Sequence, residues 1–121
     1  MNESNNETMQ RRKLISLISL SMRAGKIVSG EDSCVKALQS GRARVVFVAS
    51  DASDNTRKKF ADKSSYYGVP CYSYFSKADI ESSIGKPNRA TIICTCDSFA
   101  ARMQELLSNL EIRTYLYEDL N

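Results

Sequence analysis

The sequence predicts an α/β domain in which a single sheet carries helices on both faces. Five segments with helical apolar periodicity alternate with four strand-like segments, so that one helix separates each strand from the next. Residues 44–49 (Arg-Val-Val-Phe-Val-Ala) are continuously apolar after the arginine, as in a central strand covered on both sides. A chain of 121 residues fits one domain, large enough to bury a core without disulfide or metal staples. The order of the strands is not legible in the alternation.

Residues 1–9 are polar, with nothing to bury, and are expected to be a disordered lead-in. Over residues 10–24, Leu14, Leu17, Ile18 and Met22 recur at three- and four-residue spacing, widened by Ile15 and Leu20, which predicts a helix with one broad buried face. Arg11, Arg12 and Lys13 open it, and Ala24-Gly25 closes it. Lys26 leads into a short β-branched strand (Ile27, Val28), which stops at Ser29-Gly30 and turns into a helix over residues 31–39. After the strand at 44–49, residues 50–54 read as loop and cap. A basic helix follows over residues 55–67, with Arg57, Lys58, Lys59 and Lys63, and ends at Gly68. Pro70 suits the first position of a strand over residues 71–75. Ser76 with Asp79 forms a capping-box pattern for a short helix through Ile80 and Ile84 to Gly85. Residues 86–89 are loop, residues 90–96 a second buried strand, and Asp97 the expected N-cap of the last helix. That helix carries the stripe Phe99, Met103, Leu106, Leu107 and Leu110. The domain is therefore expected to span residues 10–110. Residues 111–121 hold Ile112, Tyr115, Leu116 and Tyr117 but are acidic, and form a C-terminal extension.

Several function classes are excluded or weakened. With no histidine, Ser-His-Asp and Cys-His catalysis are ruled out, as are mixed Cys/His zinc sites. None of the four cysteines (Cys34, Cys71, Cys94, Cys96) forms a CxxC pair, and small buried thiols in a reducing compartment are the expectation. Cys94 and Cys96 lie two apart in an apolar run, on one face of the predicted strand. No Walker A loop, GxGxxG, GxSxG or HExxH occurs, and Asp51, Asp54, Asp62 and Asp79 fall at caps or on solvent-facing helix positions, so no catalysis and no cofactor are expected. There is no apolar run of spanning length and no signal-like N-terminus, so a soluble cytoplasmic protein without a membrane partner is expected. Net charge is +3 but uneven: residues 1–96 carry fifteen basic against nine acidic side chains, a net +6. That asymmetry points to an anionic partner for the body of the domain.

The stretch from Lys26 to Leu38 reads most clearly as a site. Its polar residues stand at a helix N-terminus, and Asp32 and Lys36, four apart, share one face beside the unpaired N–H groups of the first turn. Glu31 and Asp32 argue against simple phosphate capture and suit a guanine, whose N1–H and N2–H donate to a carboxylate, while Lys36 serves O6 or a phosphate. The same residues also make an ordinary helix start: Ser29 with Asp32 is a capping-box pattern, and Asp32 with Lys36 a helix ion pair. Two further connections bear on the question, the start of the basic helix (Asn55, Thr56, Arg57) and the loop from Gly85 to Arg89. If the first, second and fourth strands are neighbours, these connections meet the Ser29-Gly30 turn at one end of the sheet. There Arg57, Lys86 and Arg89 would hold phosphates, and Asn55 and Thr56 would offer neutral hydrogen bonds.

These residues carry a resemblance. The run from Leu14 to Leu38, with Met22-Arg23-Ala24-Gly25-Lys26 and Ser29-Gly30-Glu31-Asp32-Ser33-Cys34-Val35-Lys36, resembles the first third of the ribosomal-protein family of kink-turn RNA binders (the L7Ae and L30e group), within it the bacterial YlxQ-type branch. Residues 48–56 and Gly85-Lys86 with Arg89 match in the same order, so the likeness covers about residues 10–107. It implies a three-layer α-β-α sandwich with a four-stranded mixed sheet, no catalysis, and binding to a bent RNA internal loop through its sheared G·A pairs. The family's reading motif is glycine, any residue, asparagine, glutamate, two of any kind, lysine. Gly30 and Lys36 match it, while Asp32 stands at the asparagine position and Ser33 at the glutamate position. The resemblance thus implies an RNA-binding protein of ribosome assembly or translation, with no DNA partner expected. Gly30, Glu31, Asp32, Ser33 and Lys36 would read the RNA, and Lys26, Arg57, Lys86 and Arg89 would position it. A protein-interaction adapter that has kept the scaffold and lost RNA recognition is the alternative, as the acidic motif residues suggest.

Overall fold

The computed structural model describes residues 3–115, with side chains from residue 6 onward. Nine elements follow one another: α1 (Glu3–Arg23), β1 (Ile27–Ser29), α2 (Glu31–Gln39), β2 (Val45–Val48), α3 (Asp54–Tyr66), β3 (Cys71–Tyr72), α4 (Lys77–Ile84), β4 (Thr91–Cys94) and α5 (Asp97–Asn109). The sheet is mixed, in the order β1-β4-β2-β3. β4 runs antiparallel to both neighbours, with Ile93 opposite Val28 on one side and Val46 on the other, whereas β2 and β3 are parallel, with Val46 opposite Cys71. α2 and α3 cover one face, and α1 packs on α4 and α5 over the other. This is the three-layer sandwich that the resemblance implies.

Two-sided cover explains the sequence of the central strands. Every residue of β2 and β4 is buried, so neither strand needs a polar side. Phe47 is 1% exposed and lies with ring centroids 6.0 Å from both Tyr72 and Phe75. Leu14 and Ile18 of α1, Leu38 of α2, Phe60 of α3, Ile80 of α4 and Met103, Leu106 and Leu107 of α5 complete the core.

Several boundaries differ from expectation. Residues 3–9, expected to be disordered, continue α1. No Gly or Pro interrupts the run, and once a helix is anchored each added residue gains one hydrogen bond. The Asn109 side-chain amide also donates to Gln10 Oε1 at 3.3 Å, tying this end of α1 to α5. β3 is two residues long rather than five, because the chain turns at residues 73–75 to bury Phe75 and to let its carbonyl accept from Ser50 N–H at 2.9 Å. Asp97 is not the N-cap of α5. Cys96 occupies that position without a side-chain cap, and Asp97 pairs with Arg44 at 2.6 Å. β4 ends at Cys94, so Cys94 and Cys96 do not share a strand face. Of the C-terminal extension, residues 111–115 lie against the domain. Ile112 and Tyr115 pack on the core, and Tyr115 N–H donates to Cys71 O at 2.6 Å, so the outer edge of β3 is partly occupied. Residues 116–121, with Leu116 and Tyr117, lie outside the described residues.

The start of α4 is the capping box expected. Ser76 Oγ accepts from Asp79 N–H, and Asp79 accepts from Ser76 N–H, both at 3.1 Å. Arg11 of α1 reaches the same carboxylate at 2.8 Å, with its guanidinium over the rings of Tyr74 and Phe75. Burial alone would raise the Asp79 pKa; the backbone and side-chain bonds to Ser76, with Arg11, outweigh it and hold the carboxyl below its ordinary value. A folded pKa below the unfolded one stabilises above the unfolded value, about 3.9, and that stabilisation is lost as pH falls through the folded value. Asp79→Asn is therefore expected to lower stability at neutral pH and to flatten its decline below about pH 4, checked by urea titrations across pH. A variant with the same acid limb as the parent would contradict this.

Candidate nucleic-acid interface

Because β4 runs antiparallel between β1 and β2, the β1–α2 turn, the β2–α3 loop and the loop leading into β4 all lie at one end of the sheet. They are tied by backbone bonds. Gly30 N–H donates to Thr91 O at 3.1 Å and Ala49 N–H to Ala90 O at 2.7 Å.

Gly30 is the N-cap of α2 and provides no side chain, so the capping box read from Ser29 and Asp32 does not form. Its φ of 95° and ψ of 149° lie in a region open essentially to glycine alone. The first intrahelical bond runs from Cys34 N–H to Gly30 O at 2.9 Å. The N–H groups of Glu31, Asp32 and Ser33, all exposed residues, are thus left without an intrahelical partner or a side-chain cap, with the positive end of the helix dipole behind them. Below the turn Cys34 is fully buried, its thiol 3.6 Å from the carbonyls of Val28 and Thr91, and burial pushes its pKa up to about 12. It is a packing residue.

Ser29, released from capping, accepts from Arg89 Nε at 3.1 Å. The same guanidinium donates to Pro87 O at 3.0 Å, so Arg89 is held across the mouth of the turn. Its loop is shaped from within, since the Glu81 carboxylate accepts from Asn88 N–H, and Asn88 takes a left-handed φ of 56°. Lys86 is exposed in that loop. Glu31 pairs at 3.7 Å with Lys59 of α3, which partly offsets one of the two acidic charges. The Asp32–Lys36 ion pair is absent among the described residues; both side chains are exposed on one face of α2. On α3, Ser53 caps the helix by accepting from Thr56 N–H at 3.2 Å and donating to Thr56 Oγ1 at 3.0 Å, while Asn55 is exposed beside them.

The structure therefore brings together Gly30, Glu31, Asp32, Ser33, Lys36, Asn55, Thr56, Lys86 and Arg89. Arg57 belongs to the same first turn of α3 but faces elsewhere. It pairs with Asp54 at 2.6 Å and reaches Tyr115 Oη at 3.4 Å, toward β3. Lys26 stands at the opposite end of β1, about 13 Å of strand from Gly30. Sequence reasoning saw Lys59 only as one of a basic cluster. Its pairing with Glu31 depends on α2 and α3 lying side by side, which no local pattern encodes.

At the Lys26 end, Cys96 is the thiol set apart from the others. A hydrogen bond with Ser98, the Phe99 N–H and the nearby Lys26 ammonium hold its pKa below the ordinary value, whereas burial raises those of Cys34, Cys71 and Cys94. Brief iodoacetamide treatment of the folded protein is expected to label Cys96 first. Mass spectrometry showing earlier labelling of Cys34 or Cys71 would contradict this.

The model of the Ribosomal protein L7Ae/L30e/S12e/Gadd45 family matches residues 12–102. The chain is 47% identical over 107 residues to the RNA-binding protein YlxQ of Enterococcus faecium, covering 88% of this chain and 98% of that protein. Against the RNA-binding protein YlxQ of Bacillus subtilis (strain 168) it is 43% identical over 91 residues, 75% of this chain and 91% of that one. Among solved structures, a protein of unknown function from Bacillus halodurans C superposes with a TM-score of 0.76 at 32% identity, over 79% of this chain and 97% of that chain. The Giardia lamblia 15.5kD RNA binding protein superposes with a TM-score of 0.69 at 19% identity, over 92% and 91%, which speaks to the fold alone.

Proposed function

Since the chain belongs to the Ribosomal protein L7Ae/L30e/S12e/Gadd45 family, we propose that it is a non-catalytic RNA-binding protein whose interface is the uncapped start of α2 with the loops beside it. The observation that carries this is the Gly30 turn. Three consecutive first-turn N–H groups of exposed residues lack a side-chain cap there, at a turn pinned to β4, with Arg89 held on Ser29 beside Gly30 and Lys36 further along α2. A carboxylate among such donors suits a nucleobase edge better than a bare phosphate. Asp32 accepts from guanine N1–H and N2–H, while Lys36, Lys86 and Arg89 take the flanking phosphates. The target class is structured RNA with a kink-turn-like internal loop, and association with ribosomal particles or the translation machinery follows from that class of target.

A kink-turn RNA is expected to bind more tightly than the same RNA with its sheared G·A pairs made Watson–Crick. Affinity should fall with salt by about 0.7–0.9 log units per log unit of salt for each phosphate neutralised. Arg89→Ala or Lys36→Ala should weaken binding about ten- to a hundred-fold, the worth of one charge-assisted hydrogen bond at ~1.5–3 kcal/mol, and lower the salt slope by about 1. Equal, salt-insensitive binding to both RNAs would overturn the reading. The exposed Glu31 and Asp32 favour, as a second reading, an adapter that binds a protein through the same turn. Capture of a partner from lysate that survives ribonuclease would support it.

A further inference from the structure

The end of the sheet opposite the Gly30 turn carries a second surface that the proposed interface does not use. Lys26, at the start of β1, receives Thr95 N–H on its carbonyl at 2.9 Å and stands beside Cys96; Asp97, next in the chain, pairs with Arg44. Arg44 in turn lines a cleft of about 350 Å³ between the C-terminal ends of α2 and α3, whose walls include Gly41, Ala43, Tyr67 and Pro70. Tyr67, which lines it, is 39% exposed and meets edge to face the ring of Tyr66, which is 81% exposed, with centroids 4.9 Å apart. Arg23, Lys26 and Arg42 have no carboxylate partner among the described residues; Arg42 donates to Ser40 Oγ at 3.1 Å.

Cations at this end partly serve the helix termini, since the C-terminal ends of α1 and α2 lie here and the Arg44 guanidinium donates to Gly41 O at 2.8 Å. That role accounts for the arginines. It does not account for two adjacent tyrosines held out in water, the more exposed of which is the most exposed large hydrophobic side chain among the described residues. Aromatic faces at the same end of the sheet as cations without a carboxylate partner suit an unpaired nucleic-acid strand, because every base has a face to stack and every linkage a phosphate. An acidic peptide would use the cations and leave the rings idle.

We propose that this surface holds a single-stranded RNA segment, its bases stacked on Tyr66 and Tyr67 and its phosphates on Arg42 and Lys26. The domain would then grip one RNA at two ends, a structured element at the Gly30 turn and a flanking single strand at the other. The second contact extends the proposed function, and its test separates the two.

The probe is a fluorescein-labelled twelve-residue oligouridine, which has no internal pairing, titrated against the full chain at low salt. Tyr66→Ala with Tyr67→Ala is expected to weaken its binding at least five-fold, and Arg42→Ala with Lys26→Ala to weaken it and flatten its salt dependence. Lys36→Ala with Arg89→Ala, at the other end of the sheet, should weaken it less than either of these pairs does. A kink-turn RNA bearing a single-stranded tail should bind more tightly than the tail-less RNA to the parent protein and equally to the tyrosine variant. If the parent fails on the kink-turn but holds oligouridine through the tyrosines, the Gly30 reading falls and this surface stands. Oligouridine binding that ignores the tyrosines while following the cations, or no binding at low salt, overturns the proposal. Circular dichroism on each variant separates loss of contact from loss of fold.

Discussion

Phe47→Ala is expected to remove about 3–5 kcal/mol of stability, the cost of deleting a large buried aromatic from a core that cannot fully close around the gap. Phe47 sits in the middle of β2, opposite Ile92 of β4 and Tyr72 of β3, and its ring meets Tyr72 and Phe75. A natural domain has only about 5–15 kcal/mol in hand, so this one change takes a large share. Thermal unfolding should shift down by about 10–20 °C. A drop of only a few degrees would mean that Phe47 is not at the junction of the layers, and the sheet order that brings the three connections to one end would be wrong with it.

Gly30→Ala is expected to cost about 1–3 kcal/mol of stability and, separately, to weaken RNA binding. A Cβ at this position would meet only Arg89 Cδ and Nε at 3.9 Å, an ordinary contact, so the cost is backbone strain at φ 95° rather than a clash. Relief of that strain requires the turn to swing, which withdraws Gly30 N–H from Thr91 O and re-aims the free N–H groups of residues 31–33. Gly41→Ala is the control. Gly41 also has positive φ and open space around it, but lies at the other end of the domain. Both variants should lose stability in urea, and only the Gly30 variant should lose affinity for a tail-less kink-turn RNA. Parallel loss in both would reduce the effect on binding to general destabilisation.

How much of the candidate interface is legible in the sequence depends on the range of the interaction. The start and end of α2 follow from Gly30 and from Ser40-Gly41, each directly beside the end that it sets, and the observed helix spans the expected residues. Ser29 shows where such reading stops. Its spacing to Asp32 is that of a capping box, but Gly30, with a φ open to no other residue type, takes the N-cap, and the serine hydroxyl turns to a guanidinium sixty residues away. The same holds for Glu31, whose partner is Lys59 rather than a residue of its own helix, and for Arg57, drawn toward Asp54 and Tyr115. Lys26, only four residues before Gly30, ends up at the far end of the sheet because an extended strand separates them.

The number, kind and succession of the elements, the burial of both faces of β2 and β4, and the glycine at the head of α2 are all legible in the sequence. Each of these is set by periodicity, propensity and φ preference acting over a turn or two of chain. The place of β4 between β1 and β2, which brings three connections far apart in the chain to one end of the sheet, is set only in the folded chain, as is which cations there lack a carboxylate partner among the described residues. Those outcomes rest on packing between elements separated by dozens of residues, where the energy lies in mutual fit and no single segment carries it.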